Sequence, residues 1–167
     1  KGHKVSILTP IPNYPDGKFY SGYGVLKRRQ ECWNGVNIYR SLLIPRGSGS
    51  NKMLAISWIS SVFGNLITSL FILKNKIDII FVFGPSPFLI CLPAIFIKKI
   101  KKIPICFWVL DLWPESVISA GNLKSNLIPT ILDPIVKYIY KCCDKILVSS
   151  NGFIDSVEKK GINKKKI

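Results

Sequence analysis

Ile103-Pro104-Ile105-Cys106-Phe107-Trp108-Val109-Leu110-Asp111-Leu112-Trp113-Pro114-Glu115-Ser116 is the stretch on which the fold turns. As far as Leu110 it is an uncharged run of apolar, β-branched and aromatic residues, the pattern of a strand buried on both faces of a parallel sheet. Asp111 ends the run. Pro114 then stands where a helix opens, since its missing N–H costs nothing at the first helical position. Glu115 comes next, where the helix dipole favours a carboxylate. Two carboxylates thus lie at the carboxyl end of a central strand, where open α/β sheets bind ligands. The structural alternative is that Asp111 caps the helix and Glu115 complements its dipole.

Outward from this stretch, strand and helix alternate. Residues 77–83 and 145–150 read as further strands, and residues 5–9 as a short one. Residues 30–33 and 36–41 flank Asn34-Gly35, the strongest short hairpin signal. Helices are expected over residues 53–73, 88–97 and 117–121. Another opens at Asp133-Pro134 and runs to about Cys143, and a last one ends at Gly161. The class is therefore α/β: a single mostly parallel sheet, with helices on both faces, in one domain over residues 1–167.

The formal charge is +15, from 24 basic and nine acidic residues. Such a surface seeks phosphate, on nucleic acid, lipid headgroups or a pyrophosphate-linked substrate. Apolar residues make up 48% of the chain, which excludes a disordered tail. Five cysteines without a Cys-x-x-Cys spacing fit a reducing compartment and not a disulfide framework. His3 is the sole histidine, so zinc chemistry is not expected. The opening Lys1-Gly2-His3 and the closing Lys164-Lys165-Lys166-Ile167 read as the ends of a fragment, with no signal peptide.

Two segments have competing readings. Residues 53–73 carry no charge and are long enough for a membrane span. Yet Ser57, Ser60, Ser61, Gly64, Asn65, Thr68 and Ser69 form one helical stripe. Either the stripe packs closely on neighbouring backbone or the large apolar face meets core or lipid; an amphipathic helix lying on a membrane is the favoured reading. The run Lys98-Lys99-Ile100-Lys101-Lys102 is either a solvated helix end or a contact for membrane phosphate. Earlier, Pro10, Pro12 and Pro15 make residues 10–18 a stiff loop. It ends in Asp16-Gly17-Lys18, and its cation and nearby aromatics either present themselves to a ligand or belong to an ordinary connector.

Asn13-Tyr14-Pro15-Asp16-Gly17-Lys18-x-Tyr20-x-Gly22-Tyr23, Asn34-Gly35-Val36, Ser86-Pro87, Asp111-Leu112-Trp113-Pro114-Glu115-Ser116 and Asp144-x-Ile146-x-x-x-Ser150 occur in this order. Together they resemble the N-terminal domain of family 4 glycosyltransferases, in the branch that builds bacterial O-antigen, capsule and colanic-acid repeats and includes the fucosamine transferases. The resemblance covers essentially the whole chain. It departs from the family in three ways: the first strand with its Gly-rich loop and the whole C-terminal domain are lacking, and Leu110 stands where many relatives carry Arg or Gln.

The resemblance implies the N-terminal half of a two-domain GT-B enzyme, Rossmann-like in each half, that transfers sugar with retention and without a metal or other cofactor. The donor, a nucleotide sugar, belongs to the absent C-terminal domain, so the chain alone is expected to be inactive. The acceptor is a sugar on undecaprenyl pyrophosphate at the cytoplasmic face of the cell membrane, and an anionic membrane surface is the further partner. Asp111 is the implied catalytic residue, orienting the acceptor hydroxyl or taking its proton. Asn13, Lys18, Ser86 and Glu115 are implied to line the cleft. Asp78, Asp133, Asp144, Asp155 and Glu158 read as strand-edge, cap or helix-surface residues.

The residues also raise three rivals. A nucleic-acid-binding module would explain the charge, but no basic run interleaves with base-stacking aromatics, so no nucleic acid is expected. A dinucleotide enzyme lacks its Gly-x-Gly-x-x-Gly. A polytopic membrane protein would have to bury Asp111 in lipid. A basic, membrane-associated α/β module without catalysis is the alternative function.

Overall fold

The computed structural model describes residues 2–120 and 127–167. They form two compact units, Lys1–Asn75 and Lys76–Ile167.

The first unit holds β1 (Ser6–Pro10), β2 (Gln30–Trp33), β3 (Val36–Ser41) and helix α1 (Asn51–Ile72). Its sheet runs β1-β3-β2. β1 lies parallel to β3, with Ile7 opposite Ile38, and β2 returns antiparallel. Asn34 and Gly35 both have positive φ, 48° and 80°, the backbone that a two-residue hairpin turn demands.

Ser50 caps α1 by accepting from the Met53 N–H. The helix packs on β1 and β3, and it does so through its small polar stripe. Ser57, Gly64, Asn65, Thr68 and Ser69 are buried together with Val62 and Ile72. Gly64 faces the Leu42 carbonyl so closely that a Cβ there would collide with it. Three of the stripe's hydroxyls find partners close at hand. The Ser60 hydroxyl accepts from the Ile44 N–H at 2.9 Å and donates to the Ser57 carbonyl, and Ser61 and Ser69 bond back to Trp58 and Leu66. Ile56, Ile59, Phe63, Ile67, Leu70 and Phe71 therefore point outward, Phe63 at 61% exposure. Close packing of the stripe on backbone is realised, and it leaves the large apolar face outside the core of this unit. The helix is long and apolar enough to cross a membrane, but one side of it is committed to a sheet.

The second unit has β4 (Ile80–Gly84), β5 (Ile105–Val109) and β6 (Lys145–Val148) in a parallel sheet of order β4-β5-β6. Its helices are α2 (Cys91–Lys101), α3 (Glu115–Ala120), α4 (Leu127–Cys142) and α5 (Gly152–Lys159), and a single 3-10 turn, Phe88–Ile90, leads into α2. Val82, Ile105, Phe107, Val109 and Ile146 are buried. α2 packs against β4, β5 and α4 and brings Ala94, Ile95 and Ile97 to a core shared with Val136, Ile139 and Tyr140. Residues of opposite pleat, Phe81, Phe83, Trp108 and Leu147, stay exposed, with Phe83 edge-on to Trp108 at 5.5 Å.

The α/β class with a parallel sheet stands, but four expectations need correction. The strands do not share one sheet: β1 and β4 each have a single partner, in separate three-stranded sheets. Among the described residues the sheet of the second unit is buried on one face, since Phe81, Phe83 and Trp108 stay exposed where the apolar run of β5 promised cover. Asp133-Pro134 does not open a helix but lies inside α4. Pro134 forgoes one backbone bond there, while the turn after it buries Val136, Ile139 and Tyr140. The helix expected to stop before Lys98 continues to Lys101 and ends at Lys102, whose φ is 56°. The Gly121 stop expected after residue 117 lies outside the described residues.

Candidate functional site

Parallel strands deliver their following loops to one edge of the sheet. Gly84 lies opposite Val109, and Val109 opposite Val148, so β4, β5 and β6 end side by side. The Leu110 N–H donates to the Gly84 carbonyl at 3.3 Å, and the Ser149 hydroxyl donates to that of Val109 at 3.2 Å. These bonds fix the point at which the chain leaves β5. Ser86 stands in the loop after β4, exposed, and Asp111 in the loop after β5, half-buried. Among the described residues no hydrogen bond or ion pair engages the Asp111 carboxylate. The structural alternative, in which Asp111 caps α3, is therefore not realised. The turn closes on itself: the Ser116 N–H donates to the Leu112 carbonyl at 2.7 Å and that of Ile118 to Pro114 at 3.3 Å. Pro114 precedes the first helical residue, which is Glu115.

Trp113 and Phe88 fasten the two loops to each other. Their ring centroids are 5.1 Å apart, and both rings are buried. Glu115 is held differently. Its Oε1 lies 3.1 Å from Nζ of Lys160, whose ammonium is also 3.1 Å from Asp133 Oδ1. The second oxygen of Asp133 pairs with Lys137 at 2.7 Å. The Lys137 hydrogen bond is the main reason the Asp133 carboxyl titrates below its ordinary value; Lys160 adds to the effect and burial opposes it. Burial, and secondarily the Glu115 charge, pushes the Tyr140 phenol well up.

Asn13 and Lys18 belong to the first unit, in the loop after β1. Asn13 donates from Nδ2 to the Ile11 carbonyl at 3.3 Å, and its own carbonyl accepts from the Gly17 N–H at 2.8 Å. Gly17 has a φ of 68° and faces the Gly47 carbonyl with no room for a Cβ. Tyr20 donates to the Tyr14 carbonyl. Arg46 lies 4.2 Å above the Tyr14 ring and donates to Pro15, so that aromatic face is already occupied. Lys18 remains exposed.

Two further acidic and basic groups have structural duties. Asp144 Oδ2 accepts from Lys98 Nζ at 2.6 Å and from the Ile105 N–H at 2.7 Å, which ties the entry of β6 to that of β5. Lys98 also donates to the Cys142 carbonyl, and Lys99 to the Tyr138 hydroxyl. Half of the lysine run is thus spent on α4 and Asp144, not on phosphate. Burial pushes the Cys91 thiol well up, aided by Cys143, so it is not a nucleophile at neutral pH. Among the described residues no three His, Cys, Asp or Glu side chains gather as a metal-binding group.

Lys160 was missed in the sequence. The second lysine of Lys159-Lys160, just before Gly161, carries no local signal of a partner, and only its three-dimensional neighbours give it a role. No protein-family model matches this chain, and no curated protein matches it.

Proposed function

We propose that this chain is the acceptor-side, Rossmann-like half of a retaining GT-B glycosyltransferase that extends a lipid-linked saccharide in bacterial surface polysaccharide synthesis. The observation that carries this reading is the Asp111 carboxylate. Among the described residues it has no hydrogen-bond or ion-pair partner, and it stands half-buried at the carboxyl end of the central strand β5, next to the loop that bears Ser86. Residues left without a structural partner at a sheet's ligand edge are candidates for chemistry. In this reading Asp111 accepts a hydrogen bond from the acceptor hydroxyl and draws off its proton as the glycosidic bond forms, while the donor's anomeric carbon–oxygen bond to the diphosphate breaks and the nucleoside diphosphate leaves. Ser86 and Glu115 hold neighbouring sugar hydroxyls. Within the first unit, Lys18 on the loop after β1, close in the chain to Asn13, suits a phosphate by its charge.

The donor is a nucleotide sugar held by a C-terminal domain, and no cofactor takes part. The net charge of +15 and the outward apolar face of α1 support attachment at the inner face of the cell membrane. The α1 face equally supports a second reading, a basic membrane-associated α/β module without catalysis.

The test uses the full-length protein with undecaprenyl-pyrophosphate N-acetylglucosamine and a panel of uridine, guanosine and thymidine diphosphate sugars. Transfer of labelled sugar into the lipid fraction, lost in Asp111→Asn, is the expected result. No transfer from any donor, with lipid binding intact, would leave the second reading standing.

A further inference from the structure

Lys160 is the C-cap of α5, and its side chain is only 7% exposed. A buried ammonium is tolerated only where charge and hydrogen bonds compensate it. Two carboxylates do so here, Glu115 from the first turn of α3 and Asp133 from α4, each at 3.1 Å. Asp133 also has Lys137, whereas Lys160 is the only cation paired with Glu115 among the described residues. The Glu115 side chain is nevertheless 47% exposed. A carboxylate with one oxygen pinned and the residue half open presents its remaining acceptor sites in one direction. Glu115 stands four positions after Asp111 in the chain, and the loop between them is held upstream by Trp113 on Phe88. The ion pair is its downstream fastening.

We infer that Lys160 is a positioning residue for sugar binding. It acts through Glu115, holding that carboxylate in place by the 3.1 Å ion pair so that it accepts hydrogen bonds from hydroxyls of the acceptor. This rests on the glycosyltransferase reading above, and it adds a residue that touches no substrate. Asp133 shares the same ammonium but lies on another helix, so its removal separates holding Glu115 from merely holding the helices together.

The experiment compares Lys160→Met, Lys160→Arg and Asp133→Asn in the full-length enzyme, with undecaprenyl-pyrophosphate N-acetylglucosamine as acceptor probe. A hydrogen bond to a charged group is lost when Glu115 swings away, so Lys160→Met should raise the acceptor KM about tenfold or more. Its kcat should stay within about threefold of the parent. Lys160→Arg should restore most of the KM, and Asp133→Asn should leave it near normal. Hydrogen exchange supplies a readout independent of turnover: amides of residues 112–120 should exchange about tenfold faster in Lys160→Met, with those of β5 unchanged.

Should Lys160→Met fail to fold, Glu115→Gln leaves Lys160 paired to Asp133 and should show the same rise in KM. An unchanged KM in either variant, or an equal rise in Asp133→Asn, would overturn the inference. If the parent protein transfers no sugar, the glycosyltransferase reading fails, and unchanged exchange over residues 112–120 would then refute the hold of Lys160 by itself.

Discussion

The indole of Trp113 lies against the ring of Phe88, centroids 5.1 Å apart at 50°. Trp113 follows β5 and Phe88 follows β4, so one aromatic contact sets the spacing of the two loops that carry Asp111 and Ser86. The two loops are therefore joined through a packed, buried pair of rings.

Asp111 makes no bond to the described residues, and this sharpens its substitution. Asp111→Asn keeps the shape and removes the charge and proton-accepting capacity. In the full-length enzyme turnover should fall about 10²–10⁴-fold. Thermal melting should be unchanged, since no cap is lost. Near-normal turnover would remove Asp111 from the chemistry.

The outward face of α1 predicts where lipid is met. The protein should float with phosphatidylglycerol vesicles, bind phosphatidylcholine vesicles poorly, and detach as salt shortens the reach of surface charge. Lys52 and Lys74 lie at the two ends of the helix, and each replaced by Gln should weaken binding about fivefold. Phe63→Ser with Phe71→Ser should weaken it on every vesicle. Equal binding to neutral and anionic vesicles would count against the electrostatic part.

Gly64 offers a test by sign. In an open helix Gly→Ala stabilises by up to about 1 kcal/mol. Here the new Cβ meets the Leu42 carbonyl, so Gly64→Ala should destabilise by about 1–3 kcal/mol in urea unfolding. The exposed Phe63→Ala should change stability by no more than about 0.5 kcal/mol. A stabilised Gly64→Ala would mean that α1 does not press on the Leu42 backbone.

Acid should loosen the second unit through Asp144. Burial pushes that carboxyl up, but the Lys98 bond, the Ile105 N–H and the charges of Lys98 and Lys166 outweigh it and hold it below its ordinary value. A carboxyl depressed in the folded state stabilises fully above its unfolded value, near about 4. That contribution is lost as pH falls through the lower folded value. Unfolding free energy measured between about pH 7 and pH 2 should drop at the acid end. Asp144→Asn should be less stable at neutrality with a shallower drop. Asp133, also depressed, keeps the slope from vanishing.

Much of the backbone was legible because its code is local. The uncharged run 103–110, the Asn34-Gly35 turn and the small-residue stripe of α1 each declare themselves within a few residues. Strand partnership is not local, so nothing in residues 5–9 or 77–83 revealed that β1 and β4 belong to different sheets. Pro134 misled because its preference for a first turn was outweighed by the burial of Val136, Ile139 and Tyr140, which are distant in the chain from the core they join. The loop positions of Ser86 and Asp111 were readable from the ends of apolar runs. The attachment of Glu115 to Lys160 was not, since 45 residues separate them in the chain.

The inverted face of α1 also bears on how the chain is made. An uncharged run of this length, in a helix of 22 residues, is what the membrane-insertion machinery selects when it emerges from the ribosome. β1, β2 and β3 precede it in the chain, so the sheet that receives its serines, glycine and threonine has already been synthesised. A polar stripe lowers the apolarity of the run, which favours docking on that sheet over insertion. Turning Ser57, Asn65 and Thr68 into leucine is expected both to spoil a packed face and to raise the fraction of chains inserted in a microsome translation assay.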